Sequence, residues 1–272
     1  MSAPLRIAIF GITGRMGRAL VAAADEHGGI RVTGAVASAR SESLGTDVGL
    51  LVGGDARGVE VLADAKKALE QADVAIDFSL PVATSRNLEA CAAARCSLVL
   101  GTTGHDAAQR ERIALAARDM AIVAAPNMSL GVNLLLKLVE LAARTLDDSY
   151  DIEVYEAHHR HKKDAPSGTA LALGRAAAAS RGVRLDDVTD LERQGPRGLG
   201  RIGFSVFRGG DVVGDHTVTF AGIGERIELT HRASDRMAFA RGAVRAATWL
   251  QGRAPGLYSM AHVLGLEAVD GK

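Results

Sequence analysis

The chain has 272 residues, room for two modest domains of roughly 100–200 residues each. Its 32 Lys+Arg balance 32 Asp+Glu, so it lacks the basic surplus that general nucleic-acid binding needs; 47% hydrophobic against 24% charged residues excludes a disordered chain. No apolar run approaches the ~20 residues that span a bilayer, no signal-type stretch opens the sequence, and two cysteines in an alanine-rich stretch, Cys91 and Cys96, fit a reduced, cytoplasmic protein.

The first half alternates short apolar strands with helices. Strands are expected at Leu5–Phe10, Val32–Ala37, Val59–Leu62, Val74–Phe78, Ser97–Leu100 and Ala121–Ala124. Helices fall at Ala19–Glu26, Asp64–Gln71, Val82–Ala94 (with Pro81 at its first turn) and Asp106–Arg118. This is the signature of a doubly wound, Rossmann-like parallel sheet with both faces covered. Ser129 caps a helix to Thr145 that is apolar on nearly every side and is therefore expected to be buried. A strand at Asp151–His158 and a helix at Thr169–Ser180 follow. Strands at Gly203–Arg208, His216–Ala221 and Arg226–His231 then run consecutively, the pattern of an antiparallel or mixed sheet in a second, α+β domain. Asp235–Leu250 is a closing helix. The expected division is 1–128, a dinucleotide-binding domain, and 129–234, a substrate-binding and oligomerisation domain.

Glycine numbers 31, about 11% of the chain against a typical ~7%, so backbone must turn tightly or approach something closely at many points. One cluster is informative. Gly11-Ile12-Thr13-Gly14-Arg15-Met16-Gly17 follows the first strand and opens the first helix. A helix start presents free N–H groups and partial positive charge, and GxxGxxG is a relative of the dinucleotide fingerprint GxGxxG. At the end of the second strand, where an acid would take ribose hydroxyls, the chain reads Val36-Ala37-Ser38-Ala39-Arg40 without a carboxylate. Ser38 and Arg40 are placed to hold a 2′-phosphate; for Arg40 the alternative is a solvated loop charge. Gly101-Thr102-Thr103-Gly104 and Ala125-Pro126-Asn127-Met128 also follow strands, where ligands of open α/β sheets bind. On position alone, each is equally well a plain connecting loop.

The most unusual stretch is EAHHRHKKDAPSGTA, residues 156–170. His158, His159 and His161 alternate with Arg160, Lys162 and Lys163, and such interleaved cations oppose a metal dication. Pro166-Ser167-Gly168-Thr169 then leads into a helix. A basic loop beside a helix start is an anion site suited to the carboxylates of a small substrate. Strand alternation puts Ile152, Val154, Glu156 and His158 on one face and His159 on the other. Histidine and lysine are the groups that titrate usefully for proton transfer.

Taken in order, GITGRMG at 11–17, GTTG at 101–104, APNMSLGVN at 125–133, the 156–170 block, IGFSVFRGGDVVGDHTVTFAGIGERIELTHRA at 202–233 and RMAFARGAVRAATWL at 236–250 resemble the 4-hydroxy-tetrahydrodipicolinate (dihydrodipicolinate) reductases across essentially the whole chain. The resemblance implies reduction of a cyclic dicarboxylate to tetrahydrodipicolinate by NADH or NADPH in diaminopimelate/lysine biosynthesis. It implies His158 as acid/base residue and Lys162 as proton donor, with His159, Gly168 and Thr169 holding substrate carboxylates. Gly11, Ile12, Thr13, Gly14, Arg15, Met16, Ser38, Arg40, Gly101, Thr102, Thr103, Ala125, Pro126, Asn127 and Met128 are implied at the cofactor, and no metal is. It further implies a homotetramer whose segment 235–272 returns to the first domain. Many members carry an acid where this chain has Ser38, so the choice between NADH and NADPH stays open. Two other classes compete. A semialdehyde dehydrogenase would want a cysteine nucleophile in a strand-end loop, and a dinucleotide-sensing regulator would not need the 156–170 cluster.

Overall fold

The computed structural model describes residues 3–192 and 194–267, so residues 268–272 of the expected return segment lie outside the described residues. Strand and helix alternate through β1 (Leu5–Phe10), α1 (Arg15–His27), β2 (Ile30–Val36), α2 (Val48–Leu51), β3 (Val61–Leu62), α3 (Ala65–Leu69), β4 (Val74–Asp77), α4 (Thr84–Ala94), β5 (Ser97–Leu100), α5 (Ala107–Ala116) and β6 (Ala121–Ala124). Next come α6 (Leu130–Thr145), β7 (Asp151–His158), α7 (Gly168–Ser180), α8 (Leu185–Val188), β8 (Thr189–Asp190), β9 (Ile202–Arg208), β10 (Gly214–Ala221) and β11 (Arg226–Ala233). α9 (Met237–Leu250), β12 (Gly256–Tyr258) and α10 (Met260–Val263) follow. The chain divides into two compact units, Met1–Ser129 with Met237–Lys272, and Leu130–Arg236.

The first unit holds a seven-stranded parallel sheet in the order β12-β6-β5-β4-β1-β2-β3. Alternation sends Ala8, Phe10, Ala75, Leu98, Leu100 and Ile122 to one face, under α3, α4 and α5, in a cluster that includes Cys91 and Cys96. Ile7, Ile9, Ile76, Val99 and Val123 are buried on the other face, where α9 packs against β4, β5, β6 and α1. This is the Rossmann-like fold. The strand order reverses between β1 and β4, which opens a crevice at the carboxyl ends of those strands.

The second unit holds a mixed sheet, β11-β10-β7-β9-β8, with β7 parallel to β9 and antiparallel to β10. Ile152, Val154, Ile202, Phe204, Val218 and Phe220 face α6 and α7 and bury Leu135, Val139, Leu173 and Ala177 against themselves. α6 departs from expectation: Leu134, Leu138 and Leu141 are exposed, because the sheet and α7 cover only part of its circumference. The expected strand from Val59 shortens to Val61–Leu62, since the Val59 N–H donates to the Asp47 carboxylate (3.0 Å) instead of a ladder.

Candidate functional site

In the first unit the site starts at the end of β1. Gly11 has φ +76°, and a Cβ there would lie 2.8 Å from the Phe78 carbonyl oxygen. A Cβ on Gly17 would stand 2.5 Å from backbone atoms of Gly11 and Ile12, so only glycine lets α1 lie this close to the turn. Gly14 caps α1 with no side-chain bond, and the helix ladder begins with Arg18 N–H to Gly14 O at 3.1 Å. The N–H groups of Arg15, Met16 and Gly17 precede it and form an open, partially positive helix start. Ile12 does not present itself to a ligand: its side chain is wholly buried and its N–H donates to the Val36 carbonyl (3.2 Å).

A cavity of about 590 Å³ occupies the crevice, lined by Gly11, Thr13, Gly14, Ser38 and Arg40 together with Phe78, Ser79, Leu80 and Arg86. Sequence reading missed these last four. The signal for Phe78, Ser79 and Leu80 is the turn that follows β4, and for Arg86 the first turn of α4; both acquire meaning only once β4 is known to lie beside β1. Among the described residues, no carboxylate lines the cavity. Gly101–Thr103 and Ala125–Met128 lie outside the lining, at the ends of the neighbouring β5 and β6. The side chains of Thr102 and Met128 are buried, and Asn127 Oδ1 accepts the Ser129 N–H (2.9 Å).

Beneath these loops lies Asp77, wholly buried at the end of β4. Its carboxylate accepts from Ser79 N–H (2.8 Å), Thr102 Oγ1 (3.0 Å) and Asn87 Nδ2 (2.9 Å), and its carbonyl accepts from Gly101 N–H and Thr102 N–H. One carboxylate thus ties the loop after β4 to the loop after β5. The open helix start, the glycine cradle and the two arginines fit a dinucleotide, with α1 for the pyrophosphate.

In the second unit the 156–170 segment forms one cluster. Glu156, with no exposed surface, accepts four bonds: Oε1 from Ser167 N–H (2.9 Å) and Arg208 Nη2 (2.7 Å), Oε2 from Arg208 Nη1 (2.8 Å) and His158 Nδ1 (2.5 Å). Burial opposes ionisation of Glu156, but Arg208, His158 and the Ser167 N–H outweigh it and hold its carboxyl below the ordinary range. Burial, helped by the charges of Lys162 and Arg208, lowers the pKa of His158 more than Glu156 raises it. The His216 ring meets His158 edge-on at 5.1 Å, and burial pushes its pKa down to about 4. Its Nε2 lies 3.2 Å from Ser167 Oγ, which caps α7 by accepting the Ala170 N–H. Gly168 and Thr169 form the first turn of α7.

Lys162 Nζ pairs with Asp164 (2.8 Å). Burial opposes ionisation of Asp164, but Lys162, its own N–H and the Gly168 N–H outweigh it and keep its carboxyl low. Asp164 therefore already sits on the Gly168 N–H, one of the groups expected to hold a substrate carboxylate, and on Lys162, the expected proton donor. His159 lies just past the strand with its Nδ1 buried and unpartnered, and its ring is 6.2 Å from that of His161. The structure thus brings His158, Lys162, Gly168 and Thr169 into one segment. Asp164, Ser167, Arg208 and His216 join them and were missed, the last two because they come from β9 and β10. Cys91 and Cys96 are buried in the core, remote in kind from a strand-end nucleophile.

The model for the N-terminus of dihydrodipicolinate reductase matches residues 5–128, and the model for its C-terminus matches 131–264. The chain belongs to the dihydrodipicolinate reductase family. Among curated relatives, the 4-hydroxy-tetrahydrodipicolinate reductase of Thiobacillus denitrificans is 54% identical over 97% of this chain and 99% of that protein. The reductase of the same name from Alkalilimnicola ehrlichii is 53% identical over 96% and 99%. Among solved structures, a dipicolinate-bound dihydrodipicolinate reductase from Paenisporosarcina sp. TG-14 superposes with TM-score 0.77 at 22% identity, covering 94% of this chain and 97% of that one, a likeness of fold. Dihydrodipicolinate reductases are oxidoreductases, and the dinucleotide-binding unit of the family implies use of NAD(P)H. Among the described residues no helix is long and apolar enough to cross a membrane.

Proposed function

We propose that this chain converts 4-hydroxy-tetrahydrodipicolinate to tetrahydrodipicolinate with NADH or NADPH, the 4-hydroxyl leaving as water and one hydride plus one proton adding to the unsaturated ring that results, as a step of diaminopimelate/lysine biosynthesis. The observation that carries the reading is the second-unit cluster, where a buried imidazole, an ammonium and a helix start that already holds the Asp164 carboxylate share one segment. The substrate is a small planar dicarboxylate. His159, the Gly168 N–H and Thr169 hold its carboxylates, taking over the role that the Asp164 carboxylate fills at Gly168. A bound nicotinamide dinucleotide supplies the hydride. Lys162 donates the accompanying proton, and His158 serves as the acid/base residue, exchanging a proton as charge develops on the ring.

In the first unit the α1 start takes the pyrophosphate together with Gly11, Thr13, Gly14, Arg15 and Met16, while Gly101, Thr103, Ala125, Pro126 and Asn127 border the nicotinamide. Ile12, Thr102 and Met128 support those loops from below. NADPH is accepted at least as well as NADH, because Ser38, Arg40 and Arg86 line the crevice without a carboxylate. The working form is a cytoplasmic homotetramer, supported by exposed Tyr155 and Phe207 on the sheet face opposite α6 and α7.

In an assay coupled to the condensing enzyme with pyruvate and aspartate semialdehyde, NAD(P)H absorbance falls; no loss at any pH tested overturns the assignment. Lys162→Met lowers kcat far more than it raises the KM for NAD(P)H, and an unchanged kcat removes Lys162 as donor.

A further inference from the structure

We infer that Glu156, clamped by Arg208, is a positioning residue that fixes the ring and tautomer of His158 and leaves Nε2 as its proton-exchanging atom. The inference rests on the proton-handling role proposed above for His158. It starts from local geometry. Residues two apart on β7 share a face, which puts the Glu156 and His158 side chains side by side. Burial then leaves the Glu156 carboxylate dependent on protein donors, and it has four, two of them from a bidentate guanidinium. An ionised carboxylate only accepts, so His158 Nδ1 donates. The neutral ring is therefore the Nδ1–H tautomer with its lone pair on Nε2. Nε2 lies on the other side of the ring, 3.1 Å from where a Cβ on Gly214 would stand.

Arg208 has a second effect. A lone buried carboxylate would hold His158 permanently protonated, whereas the guanidinium offsets the Glu156 charge. Both directions appear in the surroundings of His158: Glu156 on β7 favours its cation, while Arg208 on β9, His216 on β10 and Lys162 in the loop after β7 disfavour it. Arg208 also donates to the carbonyls of Asp164 (2.6 Å) and Phe207 (2.7 Å), so the clamp is itself anchored.

The test is a ring-nitrogen NMR titration of the full-length protein labelled with 15N-histidine, with the His158 signal assigned by its loss in His158→Gln. In the wild type, above the His158 midpoint, the ring is expected as the Nδ1–H tautomer; the Nε2–H tautomer overturns the inference without any variant at the clamp. Glu156→Gln is expected to lower the His158 midpoint and Arg208→Gln to raise it. Shifts in the same direction, or none, overturn the inference, since a merely structural pair does not produce opposite signs. Glu156→Gln also lowers kcat about 10–100-fold, leaves the KM for NADPH unchanged and moves the His158 limb of the pH–rate profile to lower pH. Where that variant does not fold, Glu156→Asp, which withdraws the anion by one methylene, gives the same directions. Turnover that survives His158→Gln refutes the proton role of His158. Turnover abolished there but unaffected by Glu156→Gln refutes only the positioning role.

Discussion

Removing the Asp77 carboxylate probes how the cofactor loops are held. In Asp77→Ala three donors lose their acceptor, but not equally. Thr102 Oγ1 already lies 3.4 Å from the Asp77 carbonyl, and Asn87 Nδ2 lies 3.3 Å from Ser79 Oγ, so both have a neutral partner to fall back on. Exchanging a charged for a neutral acceptor costs about 1 kcal/mol for each. Only the Ser79 N–H is stranded, at about 1–3 kcal/mol. The buried carboxylate no longer has to be desolvated, which returns part of this. The net loss is about 2–3 kcal/mol, equivalent to roughly 5–10 °C in the melting temperature of the first unit. Because the loops after β4 and β5 come loose together, the KM for NADPH should rise more than kcat falls. Asp77→Asn should be milder: Asn87 Oδ1, buried without a partner, can accept from the new amide once the Asn87 side chain turns over. Scanning fluorimetry with and without NADPH, beside steady-state kinetics, reads both effects. An Ala variant that melts with the wild type and keeps its cofactor KM would refute the hub role of Asp77.

Acid should weaken the second unit through His216. Unfolded, it takes up its proton near pH 6.5 and folded only near about 4, so stability is lost as pH falls through that window. The loss is about 2 kcal/mol between pH 7 and 5, visible in urea midpoints and reduced in His216→Gln; an unchanged slope in that variant would assign the loss elsewhere. Gly17→Ala pushes a methyl into the Gly11 and Ile12 backbone, costing about 1–3 kcal/mol and weakening NADPH binding about 10–100-fold. Fluorescence titration checks it, and wild-type affinity would show that α1 can retreat without cost.

Strand and helix patterning was legible because it is local. β1, β5 and β6 are short, nearly continuous apolar runs of the kind a sheet covered on both faces buries, and β7 alternates over most of its length. β12 was not legible: three residues carry no period, and their partner β6 lies far back in the chain. The same distance hid half of each candidate site. Arg208 reads as one cation at the end of an apolar run until the β7–β9 register sets it opposite His158. Asp77 reads as a strand-end acid until β5 brings Thr102 to it. Apolarity alone also misjudged α6, since a run of leucines does not state which of them the neighbouring elements will cover.

The first unit is written in two pieces, with all of Leu130–Arg236 between them. During synthesis β1 to β6 therefore emerge without α9, the helix that packs on β4, β5 and β6, and without the edge strand β12. At roughly 5–20 residues per second that interval lasts on the order of 5–25 s. The second unit, being continuous, is complete before it ends. The order in which the molecule matures is thus opposite to the order in which it begins: the half whose first strand leaves the ribosome earliest closes last. For those seconds the parallel sheet carries an apolar face left uncovered over β4, β5 and β6 and an unpaired edge, the surface that chaperones hold and aggregates exploit.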